Sequence, residues 1–420
     1  MLLEFRVSNF RSIRDEQVLS MVAASGDKTF ADTHLASTGL KGLPNVVRSA
    51  VVYGANASGK STLLLALHYM RTVVAESATV IQPNQTYNVQ PFKLDAAKLT
   101  EPTSFVLSFV MRGVRYEYAF AMRPERFVSE SLTVYRTARP TQLYSRQLAA
   151  DGQSYDYEFS SLLPGPKKLW QDSTRPNALF LSTAAQLNSE LLGQVLRDIV
   201  HSIFYIPAGV DITHDFTTAL LKTSDGRDAV RKFLTEADIS IADVQTVSRK
   251  GIHNQIMFGA EGQTQTNRIE GEFILPVFEH KTLQGSATFE LHEESQGTQR
   301  LFGLIAPLTE VLKKGQTLVV DELDSSLHTL LVRQLVSLFH SAETNPLGAQ
   351  LIFTTHDTAL LDTELFRRDQ IWLTEKDDHQ ATRVYPLSDF SPRKGEAIER
   401  GYLTGRYGGI PFLPQRGASR

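Results

Sequence analysis

The spacing of hydrophobic and polar positions changes several times along the chain, and each change marks an element. At the start, Leu3, Phe5 and Val7 alternate with Glu4, Arg6 and Ser8, the two-residue period of a half-buried strand. A polar, glycine-containing connection leads to 46–53 (VVRSAVVY), rich in β-branched residues, and then to a glycine-rich turn at 54–59. In 61–70 the residues Leu63, Leu64, Leu67 and Met70 share one face at helical spacing, so the order is strand, turn, helix. Between 103 and 136, three segments rich in Val, Phe and Tyr predict an antiparallel meander and hence a second sheet layer. From about 137 to 270, helical patterns at 186–201 and 229–236 are broken by Gly, Ser and Asp, with no repeat and no sustained heptad. No long coiled-coil arm is expected. Residues 271–293 alternate again, 296–313 carry a helical pattern, and 317–320 and 351–354 are apolar runs suited to buried parallel strands. Helices between such strands make the core α/β.

Composition narrows this picture without naming a function. The length of 420 residues calls for two or three lobes or one large core with an insertion. With 42% hydrophobic and 21% charged residues the chain is neither disordered, collagenous nor membrane-embedded. Its 43 Lys and Arg against 46 Asp and Glu give a charge of −3, so no global basic field points to nucleic acid, which is left open as a partner through a local patch. The absence of cysteine excludes disulfides, thiolate metal sites and cysteine nucleophiles. Charged Glu4, Arg6 and Arg11 break the window of a signal peptide, and no uncharged apolar run reaches membrane-spanning length, so a cytoplasmic protein without membrane contact is expected. The last thirty residues hold Arg393, Lys394, Arg400, Arg406, Arg416 and Arg420 against Glu396 and Glu399, a local +4.

The candidate chemistry begins at Gly54-Ala55-Asn56-Ala57-Ser58-Gly59-Lys60-Ser61, which fits G-x-x-x-x-G-K-[ST] between a predicted strand and helix. Glycines let the backbone aim its N–H groups at phosphate oxygens, and this loop, with Thr62, opens a helix N-terminus. Lys60 supplies a point charge to β- and γ-phosphates, and Ser61 can ligate Mg²⁺. The run Thr317-Leu318-Val319-Val320 ends in Asp321 and Glu322. There Asp321 can hold the Mg²⁺ water shell and Glu322 can polarise a water for attack on a γ-phosphate, which makes the pair a Walker B with catalytic base. A third strand, 351–355, ends in His356, placed to contact the γ-phosphate or orient Glu322. Before the helical pattern at 296 stands Glu294-Ser295-Gln296-Gly297, where Gly297 permits close backbone approach and Ser295 can donate near a helix N-terminus, or simply cap it.

In order and spacing these four pieces resemble the ABC-type ATPase heads shared by SMC-like proteins and the OLD-like ATPases. The resemblance places Ser295 and Gly297 in the signature motif, Asp324 in the D-loop and His356 as the switch histidine. Such heads pair head to tail, so that Lys60 of one chain and Ser295 of the other grip one ATP, which implies a homodimer or a higher homo-oligomer. FRVSNFRSI, YGANASGKST, PFKL, VVDELDSSLH, FTTHD and YLTGRYGGIPFL look like the RloA/AbiL-type AAA-15 ATPases found beside bacterial restriction and abortive-infection genes. That resemblance implies ATP and Mg²⁺ as cofactors, a separately encoded effector that is RloB-like or a nuclease, and anti-phage defence. It places Gln90 at the Q-loop glutamine, a metal contact, and Arg11 near the nucleotide phosphates.

The expected fold is thus α/β, a P-loop NTPase of ABC-ATPase head type with an antiparallel β layer and a mixed, partly helical insertion. Expected boundaries are 1–136 for the ATPase lobe with P-loop and meander, 137–270 for the insertion, 271–390 for the signature, Walker B and switch-histidine part, and 391–420 for the basic tail. The expected function is an ATP-hydrolysing, dimeric ATPase that controls a partner effector. Its alternatives are a nucleotide-gated scaffold with little turnover and an SMC-like DNA-repair ATPase.

Overall fold

Strand Leu2–Ser8 buries Leu3, Phe5 and Val7, as its alternation requires, and joins a seven-stranded antiparallel sheet rather than standing alone. Its partners are Gln17–Ser20 on one side and Thr103–Met111 on the other. The meander continues through Val114–Arg123 and Arg126–Tyr135, and then past its expected end through Thr141–Leu148 and Tyr155–Phe159. The computed structural model describes residues 1–137, 139–209, 212–237, 241–258, 264–391 and 396–410.

The second sheet has six strands, in the order Ile203–Ile206, Thr317–Val320, Gln350–Thr354, Ser49–Gly54, Ile371–Lys376 and Thr382–Pro386. All neighbours are parallel except the last pair. Ser49–Gly54 is buried at every position, the pattern of a central parallel strand covered on both faces. It is shorter than the apolar run 46–53, because Val46 and Val47 form a separate two-residue strand. At the break, the buried Arg48 donates through Nη1 to the Asn345 carbonyl at 2.8 Å.

Helix Lys60–Glu76 follows the strand and lies between the two sheets. Its Leu63, Leu64 and Leu67 belong to one core with Phe5, Val7 and Phe105 of the antiparallel sheet and with Val52 and Ile352 of the parallel one. Fully burying each such side chain contributes about 1.5–3 kcal/mol. Of the helical pattern at 186–201, 190–201 forms the helix Glu190–Ser202, while Gln186 ends a preceding helix, Phe180–Gln186, that the pattern did not include. Asn188 between them has φ 63°, and Ser189 caps the second helix by accepting from the Leu192 N–H.

These elements form one compact unit, Met1–Ala208 with Val311–Ser325 and Val332–Arg420. A second unit comprises Gly209–Glu310 and Ser326–Leu331, a division that does not coincide with the sequence boundaries at 137 and 270. Within it, Asp243–Phe258 and Thr264–Thr282 pair antiparallel from Asp243↔Glu279 to Phe258↔Thr264, a ribbon about 50 Å long at 3.4 Å per residue. Gly285–Glu290 adds a third strand. The longest helix among the described residues, Gln296–Lys314, runs 19 residues, and in this unit its Phe302 packs edge-on against Phe278 with centroids 5.3 Å apart.

Candidate nucleotide site

Because the central strands are parallel, Ser49–Gly54, Thr317–Val320 and Gln350–Thr354 end along one edge of the sheet, and the three motifs read from sequence follow those ends. Gly59, with φ 111°, leaves the turn into the helix. A β-carbon there would lie 2.1 Å from Thr382 Oγ1, so both the backbone and the space demand glycine. Ala57 also takes a left-handed φ of 62°. Asn56, Ala57 and Ser61 are exposed, whereas Ser58 is buried and shares a 2.6 Å hydrogen bond with Thr374 Oγ1. Thr374 in turn donates to the Tyr53 carbonyl at 3.1 Å, and Thr382 Oγ1 donates to the Ser58 carbonyl at 2.8 Å. Two threonines on the neighbouring strands therefore fix the loop.

Lys60 is 6% exposed, and its Nζ donates to the carbonyls of Gly54 at 2.7 Å and Ala55 at 3.2 Å. Burial lowers its pKa, while Asp321, Glu322 and Asp324 pull in the opposite direction. Burial likewise pushes the Tyr53 hydroxyl up, reinforced by Asp357 and Asp324. The lysine thus sits within the field of the acids from the other strand end.

Asp321 is 3% exposed and accepts from Thr354 Oγ1 at 2.6 Å. The same Thr354 oxygen accepts from the Glu322 N–H at 2.7 Å, so one hydroxyl fixes the carboxylate of Asp321 and the backbone of Glu322. Glu322 has φ 54°, a strained conformation for a side-chain-bearing residue. Asp324 Oδ2 accepts from the N–H of the exposed His356 at 3.2 Å, which brings the D-loop and switch-histidine candidates together. Asp324 Oδ1 is buried without a hydrogen-bond partner.

The N-terminal motif reaches the same loop. Ser12 Oγ lies 3.2 Å from Thr62 Oγ1 and 2.8 Å from Thr382 Oγ1. Arg11 and Gln90 are joined by a 2.7 Å bond from the Arg11 N–H to the Gln90 carbonyl. A cleft of about 540 Å³ is lined by Arg11, Ser12, Ala57, Thr62, Gln90 and Lys376, among others. Sequence reasoning missed the residue that builds this corner. Asn9, buried and with φ 51°, donates to the carbonyls of Lys98 and Glu101 at 2.8 and 2.9 Å and accepts from the Phe92 N–H at 2.9 Å. It lies in the quoted SNFRS motif, the one signal that could have found it, as Thr354 lies in FTTHD.

In the second unit, Ser295 Oγ accepts from the Thr298 N–H at 3.1 Å, the geometry of a helix cap. The close approach expected at Gly297 is present, since a β-carbon there would lie 2.8 Å from the Ser326 carbonyl. Of the basic tail, Arg406 pairs with Glu396, while Arg393, Lys394, Arg416 and Arg420 lie outside the described residues, as do Pro411, Phe412 and Leu413 of the tail motif.

The residues suit a magnesium nucleotide. The loop is a cradle that a β-carbon at Gly59 would fill, the available donors are the hard oxygens of Ser61 and Asp321, and a buried carboxylate oxygen of Asp324 awaits a donor. Among the described residues, no group of three or more His, Cys, Asp or Glu could hold a metal ion. A cation here would complete its shell from phosphate oxygens and water, the habit of Mg²⁺. No described helix is long and apolar enough to cross a membrane.

The family model described as "AAA domain, putative AbiEii toxin, Type IV TA system" matches residues 49–166 and 201–362. A crystal structure of an SMC head bound to the C-winged helix domain of ScpA is similar at 13% identity and a TM-score of 0.43, covering 93% of this chain and 99% of that one. No curated protein matches.

Proposed function

We propose that this chain, which belongs to that AAA-domain family, binds ATP at residues 54–62 and hydrolyses it with Mg²⁺. The observation that carries the proposal is the buried Lys60 ammonium, which among the described residues donates to carbonyls of its own loop while lying in the field of Asp321, Glu322 and Asp324. A lysine so placed can exchange those carbonyls for β- and γ-phosphate oxygens, and the loop N–H groups at the head of Lys60–Glu76 meet the remaining phosphate charge.

Ser61, Asp321 and Gln90 would hold the Mg²⁺, which when bound neutralises charge building on the phosphates. Glu322 takes a proton from water as its oxygen attacks the γ-phosphorus in line, and the bond to the β,γ-bridging oxygen breaks to leave ADP and phosphate. Thr354 supports this role by fixing the Glu322 backbone and the Asp321 carboxylate together. His356, whose backbone N–H donates to the Asp324 carboxylate, would sense the γ-phosphate, and Asp324 would meet a second chain. Arg11 would meet the nucleotide from the N-terminal side.

The finer reading follows the resemblance to RloA/AbiL-type ATPases: a head-to-tail dimer in which Ser295 and Gly297 of one chain complete the ATP site of another, controlling a separately encoded, RloB-like or nuclease effector in anti-phage defence. The test is phosphate release from purified protein with Mg-ATP, with and without DNA, for wild type and Glu322→Gln, together with sizing of the variant. Turnover lost in the variant and a dimer trapped by Mg-ATP are expected. ATP bound without turnover in either protein would replace hydrolysis by nucleotide-gated assembly, and a monomer in the trapped state would remove the dimer.

A further inference from the structure

We propose that residues 396–410 form a strap that holds the P-loop in its phosphate-receiving conformation, with Glu375 as the positioning residue that fastens it. The proposal rests on reading residues 54–62 as a nucleotide site. The strap starts with the short helix Ile398–Leu403 and turns back on itself. Tyr402 is buried with its ring 5.8 Å from Tyr53, the residue immediately before the loop, and its hydroxyl donates to the Gly409 carbonyl at 3.0 Å. Tyr407, fully buried, donates to Glu396 at 2.6 Å, and its own carbonyl accepts from the Tyr385 hydroxyl at 3.0 Å.

The fastening point is Glu375 Oε2, which accepts from the Gly409 N–H at 3.3 Å. Glu375 directly follows Thr374, whose hydroxyl bonds Ser58 of the loop and the carbonyl of Tyr53 just before it, so loop, strand and strap form a closed circuit. At Gly408, φ 71°, a β-carbon would lie 2.4 Å from Glu375 Oε2 and 2.5 Å from the Tyr385 hydroxyl. No side chain fits there while the strap is fastened. Strap and loop together wall a cleft of about 570 Å³, lined by Ala55, Asn56, Ser58, Glu375, Gly405 and Gly409, among others. A loop held from this side enters binding already ordered, which raises affinity by removing the ordering penalty.

The experiment measures the dissociation constant and release rate of a fluorescent ATP analogue with Mg²⁺, alongside the melting temperature. Glu375→Ala and Gly408→Ala should weaken binding about tenfold, mainly through faster release, the size expected for losing one charged hydrogen bond. Glu375→Gln should recover most of that affinity, because its amide oxygen still accepts from Gly409. Gly113→Ala is the control: it has the same positive φ, 72°, but open space around it, and should bind as wild type. Wild type that binds nucleotide, together with Glu375→Ala and Gly408→Ala that release it unchanged, overturns the strap alone. So does a Gln variant as weak as the Ala variant. Binding absent in wild type, or unaffected by Lys60→Ala, overturns the nucleotide site and the strap with it.

Discussion

Two buried charged clusters in the first unit are built on opposite principles. In the antiparallel sheet, Glu130 and Arg146 both have side chains with 0% exposure. The Glu130 carboxylate accepts from the hydroxyls of Tyr118 and Tyr144 and from the N–H groups of Phe180 and Leu181, at 2.6 to 3.0 Å. The protein answers every demand of that carboxylate itself, and in doing so anchors the start of helix Phe180–Gln186. At the parallel sheet's edge, Lys60 turns its donors onto its own loop and Asp324 keeps a buried oxygen without a partner. A carboxylate answered on every side is architecture, even beside an Arg146 Nε that is buried without a partner, whereas valence left open beside a cleft is provision for something that arrives.

The largest expected effect breaks the open cluster only. Glu322→Gln should lower ATP turnover by about 10²–10⁴-fold, read by phosphate release, with the urea midpoint unmoved. The reverse experiment is Glu130→Ala, which strands Arg146 in the core and should destabilise the fold by about 3–5 kcal/mol in urea titrations. The folded fraction should keep wild-type nucleotide affinity, and a loss there would merge the two clusters into one. A smaller effect sharpens the contrast from the ligand side. Mg-ATP at a hundred times its dissociation constant should stabilise wild type and Glu130→Ala alike by about 2.7 kcal/mol, while leaving Lys60→Ala unprotected.

The smallest effect concerns a third buried pair, His34 and His340, with rings 3.7 Å apart. His340 shares a 2.8 Å bond with the hydroxyl of Ser49, the first residue of the P-loop strand. Burial, helped by His34 and Arg48, holds the His340 pKa well below 6.5, and burial lowers that of His34 as well. The unfolded chain then takes up protons that the folded chain refuses, so stability falls as the pH drops below about 6.5, by at most about 1.4 kcal/mol per unit for each histidine. Urea midpoints at pH 7.5 and 5.5 measure it, and His340→Gln should flatten the dependence.

What could be read from the chain was whatever depends on near neighbours. The glycine and lysine spacing of the loop, the apolar run before Asp321 and Glu322, and the helical face of Leu63, Leu64 and Leu67 are local patterns, and the structure carries each of them. What escaped depends on partners far away in sequence. Thr354 acquires its importance from atoms 32 and 33 residues earlier, and Thr382 meets Ser58 across 324 residues, distances over which no periodicity operates. Of the ribbon, the alternation at 271–282 was legible, whereas Asp243–Phe258 and 264–270 escaped for a different reason. Their polar residues and glycines read as breaks between elements, because a two-residue period is faint where apolar positions are few.

The strand order of the parallel sheet also sets a timetable for synthesis. Ser49–Gly54 leaves the ribosome early, yet both of its neighbours, Gln350–Thr354 and Ile371–Lys376, come some 300 residues later. At 5–20 residues per second the strand waits roughly 15–60 s for company, while the meander from 103 to 159 already has its partners in hand. A nascent chain would therefore complete its antiparallel sheet long before its P-loop could close, and translation halted anywhere before residue 376 would yield a polypeptide unable to seize nucleotide.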